Sequence, residues 1–161
     1  MPHRLVVLAL FALPLVAIAC SGPAGLTASG GVSVRGSTAS GPFEAAFDFP
    51  SEVRLDGSAG LTAMCTISGG GAVIDLIPSA GNPLETVTLM ARNDATSGTI
   101  EADVRGEHYS NPACAYSTAF VGGDGTISLR TATDCVLSST GGGTVTASSN
   151  IVLRGCTVVA E

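Results

Sequence analysis

The chain has 161 residues, of which 45% are hydrophobic, 12% charged and 4% aromatic, with 21 Gly, 8 Pro and no Trp. It is too apolar for a disordered tail and lacks the Ala/Glu/Lys/Leu runs of a coiled coil. Net charge is −6 and all seven basic residues are Arg, so no polybasic patch exists and nucleic acid is excluded as a partner.

Met1 to Arg4 is a short basic segment, and Leu5 to Ala19 is an unbroken apolar run. Fifteen residues make a helix of about 22 Å, short for a bilayer crossing but suited to the apolar region of a signal peptide. The run ends Ala17-Ile18-Ala19-Cys20, then Ser21-Gly22. This resembles the lipobox of bacterial lipoproteins, with Ala17 in place of the usual Leu. The resemblance implies removal of residues 1–19, diacylation of the Cys20 thiol and acylation of the new amino terminus. Such a lipoprotein is held on a membrane by its acyl chains, at about 0.8 kcal/mol per buried CH₂. The simpler reading is a secretory signal cut after Ala17-Ile18-Ala19. Both readings export the protein. Ser21 in place of Asp favours the outer membrane in an enterobacterial sorting scheme. Without Arg4, the mature chain holds 6 Arg against 13 acidic residues, a net charge of −7.

Residues 20–25 then read as a lipidated tether and 26–161 as one β domain, expected to be monomeric. Leu26 to Gly36 (LTASGGVSVRG) is echoed by Val145 to Gly155 (VTASSNIVLRG). Both look like tight hairpins, turning at Gly30-Gly31 and Ser149-Asn150. Between them the dominant period is two. Phe43, Ala45, Phe47 and Phe49 alternate with Glu44, Ala46 and Asp48. Leu61, Ala63, Cys65 and Ile67 follow, then the more buried Val73 to Ile77, with Asp75 its one polar interruption. Val87, Leu89 and Ala91, then Ile100, Ala102 and Val104, then Ile127 and Leu129 complete the series. These are half-buried antiparallel strands. Gly, Asn, Pro and Ser mark the turns at 69–71, 80–83, 93–98, 122–125 and 141–143. No helical stretch of ten residues follows the signal. The expected fold is all-β: a single antiparallel sandwich or barrel-like domain of about ten short strands after a helical signal peptide.

Four cysteines remain after Cys20: Cys65, Cys114, Cys135 and Cys156. An even set in an exported chain implies two disulfides, with three pairings open. Residues 114–121 and 126–132 read as a hairpin about Gly122 to Gly125. If Val121 opposes Thr126, Cys114 opposes Thr133 and comes within reach of Cys135. Geometry therefore favours Cys114–Cys135, leaving Cys65–Cys156. No Cys-x₂-Cys pair exists and His108 is the sole mature histidine, which argues against zinc.

Catalytic candidates are sparse, and the reading is of no catalytic, metal or cofactor site. His108 lies in a turn-like Gly106 to Pro112 segment, and no Gly-x-Ser-x-Gly elbow is present. Glu101 and Asp103 share a strand face and Glu107 follows, but a glycosidase cleft also wants aromatic platforms. The chain offers only Tyr109 and Tyr116, with Phe43, Phe47, Phe49 and Phe120 assigned to the core. Asp94 and Asp124 are loop candidates for Ca²⁺, each standing alone.

Part of the chain is similar to the mycobacterial 19 kDa lipoprotein antigen family. The similarity rests on the lipobox, Cys65-Thr66, Gly81-Asn82-Pro83, Gly106 with His108-Tyr109, and Cys156. It implies a small secreted β domain closed by a first-to-last disulfide, without enzymatic activity. The functional expectation is a non-catalytic, membrane-anchored envelope lipoprotein displaying a structural or interaction module, with an envelope protein or glycan as partner. The alternatives are a glycan- or lipid-binding module and, third, an envelope hydrolase.

Overall fold

The structure, a computed structural model, describes residues 25–160; the signal sequence and Cys20 lie outside the described residues. No helix occurs among those residues. In chain order the strands are β1 Thr27–Thr38, β2 Gly41–Arg54, β3 Leu61–Ser68, β4 Gly71–Pro78, β5 Leu84–Arg92 and β6 Ser97–Val104. They continue with β7 Glu107–Val121, β8 Ile127–Thr131, β9 Cys135–Ser138, β10 Thr144–Arg154 and β11 Thr157–Val158. Eleven strands match the expected number of about ten, but several are longer than the short strands expected: β7 alone has 15 residues.

All eleven strands belong to one sheet, in the order β11-β3-β4-β5-β6-β7-β8-β10-β1-β2, with β9 bridging β10 and β7. Every pairing is antiparallel except β11 on β3. The sheet curls until its ends meet. Just beyond β2, Asp56 bridges Thr62, and Ala63 N–H donates to Leu55 O, so the chain leaving the last strand of the path touches β3 near the other end. Curling of this kind removes open edges. One face of the sheet becomes a single core, which holds Leu61, Ile74, Leu89, Ile100, Leu129 and Leu153 with almost no exposed surface. Alternation produces this directly. In β10, Val145, Ala147, Ser149, Ile151 and Leu153 are buried while their neighbours face out.

The two expected hairpins are instead two straight strands, β1 and β10, paired with each other from Thr27↔Arg154 to Gly36↔Val145. Gly31 and Asn150, equivalent positions of the echo, face each other, so the two similar stretches run antiparallel about that point. Arg35 and Arg154 fall at opposite ends of the pair. The glycines serve close approach rather than a turn. A Cβ on Gly30, whose φ is +89°, would lie 1.9 Å from the Asn150 carbonyl oxygen, and one on Gly31 would lie 2.6 Å from that of Phe47. Ser149 continues the buried period because it is small and satisfied: its Oγ donates to Leu129 O at 3.2 Å and its N–H to Thr131 Oγ1 at 3.2 Å.

Cys114 bonds Cys135 and Cys65 bonds Cys156, with Cα separations of 5.4 and 4.9 Å. These are the pairs the hairpin geometry favours, although Val121 opposes Ile127 rather than Thr126. A register shift between Tyr116 and Thr118 takes up the extra residue. The second bond fixes the start of β11 to β3.

Candidate functional site

The outward faces of β4 to β7 bring the sequence-predicted chemistry together in part. Asp75, Thr88, Glu101 and Ser110 lie in one cross-strand row, and Thr86, Asp103 and His108 in another. His108 is not in a turn. The turn is Arg105-Gly106, both at positive φ, and His108 lies in β7 opposite Asp103. Its Nδ1 is 2.8 Å from Asp103 Oδ1. A carboxylate only accepts, so Nδ1 carries the proton and donates. Thr86 Oγ1 donates to the other carboxylate oxygen at 2.6 Å. Partial burial works against ionisation of Asp103, but the hydrogen bonds from Thr86 and His108 and the adjacent imidazole outweigh it and hold its carboxyl below the ordinary value. Among the described residues no hydroxyl is hydrogen-bonded to His108.

Glu107 belongs to a different arrangement. Ser139 Oγ donates to its Oε1 at 2.6 Å and the fully buried Tyr109 donates to its Oε2 at 2.7 Å. Ser139 Oγ in turn accepts from Gly143 N–H at 3.1 Å. The carboxylate thus clamps the β9–β10 turn against the start of β7. Those two hydrogen bonds, Ser139 first, hold the Glu107 carboxyl below its ordinary value despite some desolvation. Burial, then the bond to Glu107 and its charge, raises Tyr109. Burial alone pushes Tyr116 up to about 12. Glu107 therefore lies on the face of buried Tyr109, opposite the outward face that Glu101 and Asp103 share.

The calcium candidates stay apart as well. Asp124 Oδ1 accepts the Thr126 N–H at 3.0 Å, closing its own turn, and Asp94 occupies the left-handed conformation at φ 57°. Among the described residues no group of three or more His, Cys, Asp or Glu is placed to hold a metal.

Open grooves mark the surface of the described residues. A trough of about 420 Å³ crosses β2, β1, β10 and β8, lined by Gly31, Ser33, Asp48, Arg130, Ser148 and Asn150 among others. A wider one of about 650 Å³ runs over Thr66, Val73, Met90 and Thr99. A third, of about 370 Å³, joins Ile67, Val121, Val158 and Val159 to the 68–70 and 123 turns. One of the phenylalanines assigned to the core is corrected: Phe120 is 47% exposed, whereas Phe47 is half-buried and packs against the core. Phe120 lies on β7 opposite Ser128, on the outward side of the strand from buried Val121 and Ala119. Sequence reasoning also missed the exposed Val158 and Val159, whose only signal is an apolar pair one residue after the last strand-fixing cysteine. No family model, curated protein or solved structure matches the chain.

Proposed function

We propose that the protein is an exported, membrane-anchored, non-catalytic envelope lipoprotein whose β domain is a structural or interaction module. The observation that carries this reading is the division of labour among five cysteines. The four described ones pair off in two disulfides, as an oxidising compartment allows. The fifth, Cys20, directly follows a fifteen-residue apolar run. A thiol at the first mature position, outside both bonds, matches the role of an acyl acceptor. The domain acts as a monomer on its acyl chains and meets an envelope protein or glycan at its outer wall.

The second reading, a glycan-binding module, draws on the 420 Å³ trough. Asp48, Arg130 and Asn150 offer it a carboxylate, a guanidinium and an amide, the planar donors and acceptors that sugar hydroxyls use. Envelope hydrolysis through Glu101, Asp103, Glu107 or His108 finds less support, since Glu107 is a clamp and His108 serves Asp103.

The test is fractionation of cells making the full chain and its Cys20→Ala form. The wild type is expected in the detergent phase of the envelope fraction and the variant in the soluble fraction. Equal retention of both in the membrane contradicts the anchor.

A further inference from the structure

We propose that the groove formed by Ile67, Val121, Val158 and Val159 is the face that rests on the lipid bilayer, with Val158 and Val159 entering the headgroup layer. This deepens the anchored-lipoprotein reading and rests on it.

The placement follows from register. Ala28 opposes Leu153, Leu153 opposes Ile127 and Ile127 opposes Val121. Strands lie about 4.8 Å apart, so the start of β1 is about 14 Å from Val121 along one row. On the other side, the Leu26 carbonyl accepts from Leu55 N–H, and Leu55 pairs with β3, the strand that holds β11. The chain therefore leaves the domain at the same end as the groove. From Gly25 back to Cys20 there are five residues, at most about 17 Å of chain. An acylated Cys20 would bring this end, and no other, against the membrane.

The chemistry of that end fits a lipid surface. Val158 and Val159 are 47% and 49% exposed, and their backbone is held: Val159 N–H donates to Ile67 O at 2.9 Å, and Cys156 is bonded to Cys65. Buried Ile67 and Val121 back the groove, so the exposed apolar surface is continuous with the core. Arg54 lies against Gly25 at the chain's exit, and Arg154 lies opposite Thr27, 3.8 Å from Glu52. Arg54 and Arg154 set two guanidinium groups at this end among the carboxylates of Glu52, Asp56 and Asp124, and guanidinium groups suit the phosphate layer above acyl chains.

The chain contains no Trp, so one introduced indole reports alone. The full-length acylated protein carrying Val159→Trp is placed in phosphatidylcholine/phosphatidylglycerol vesicles with brominated acyl chains. Its emission is expected to shift to the blue and to be quenched severalfold against unbrominated vesicles. Val136→Trp is the control: Val136 pairs with Thr146, eight residues along β10 from Arg154 and thus about 27 Å away. It should show neither change. Protein that carries its acyl chains and floats with the vesicles, yet leaves Val159→Trp unquenched, overturns this proposal and leaves the anchor standing. So does quenching equal at both positions, or a Val159→Trp blue shift that appears without lipid and follows protein concentration, which would mark contact between copies. Protein from the cell envelope with an unmodified Cys20 overturns the anchor, and the proposal with it.

Discussion

Gly98 and Gly123 differ in one physical respect that a pair of alanine substitutions isolates. A Cβ on Gly98 would lie 2.2 Å from the backbone oxygen of Met90 and 2.5 Å from Cε2 of Tyr116. Both distances are far inside any carbon contact, and the nearer atom is backbone, so strand β5 or the Tyr116 ring must move. Gly123 has nothing within 4 Å and no positive φ. Both changes restrict the unfolded chain alike, worth about 0.4–1 kcal/mol in favour of folding. At Gly98 that gain is opposed by an overpacking cost of about 1–3 kcal/mol. The 136 described residues imply an unfolding entropy near 0.29 kcal/mol/K, so about 3.5 °C of Tm per kcal/mol. Gly98→Ala should therefore melt about 3–10 °C below Gly123→Ala by circular dichroism, with Gly123→Ala at or slightly above the wild type. Equal melting temperatures would refute the packing of Tyr116 across Gly98.

The two disulfides close loops of different length, with sequence separations of 91 and 21. On loop entropy, replacing Cys65 and Cys156 by Ala should cost about 1.3 kcal/mol more than replacing Cys114 and Cys135, readable by urea denaturation; the reverse order would contradict the argument. The carboxyls of Asp56, Asp103 and Glu107 are all held below their ordinary values, chiefly by Ser58, by Thr86 with His108 against burial, and by Ser139. Their contributions are fully present above the ordinary carboxylate range and are lost as pH falls through the lowered values. Urea midpoints should thus decline below about pH 4, and less steeply in Glu107→Gln. The chain's two tyrosines are both raised, Tyr116 to about 12 by burial. Their contribution is present below the ordinary tyrosine value of 10.0 and lost as pH rises through the raised ones, so absorbance near that value should stay flat until the fold opens. Tyr109→Phe, which leaves Glu107 one partner short, should cost about 1 kcal/mol in the same urea assay.

The fold class was legible because period two survives in nearly every strand, and because Gly and Asn mark the turns at 69–70, 93–96 and 122–125. The disulfide pairs were legible because one hairpin brought Cys114 near Cys135 and left a single remainder. What misled was glycine. Gly30-Gly31 has the composition of a turn, and only the neighbouring carbonyls of Asn150 and Phe47 show that it answers crowding within a sheet. Ser149-Asn150 misled likewise, because Ser149's burial depends on Leu129 O from a strand twenty residues away. Glu107 could not be told from Glu101 by type or spacing; Ser139, thirty-two residues on, makes the difference. Alternation did assign Phe43 and Phe49 inward. The same alternation puts Phe120 outward, on the strand face opposite buried Ala119 and Val121; its assignment to the core followed residue type instead.

The most direct measurement is the intact mass of the protein recovered from the cells that make it, before and after thiol alkylation. The account predicts a chain that begins at Cys20, carries the mass of two or three acyl groups and takes up no alkylating reagent until reduced, then takes up four equivalents at Cys65, Cys114, Cys135 and Cys156. A mass matching residues 1–161, unacylated and alkylated at once on all five cysteines, would contradict it.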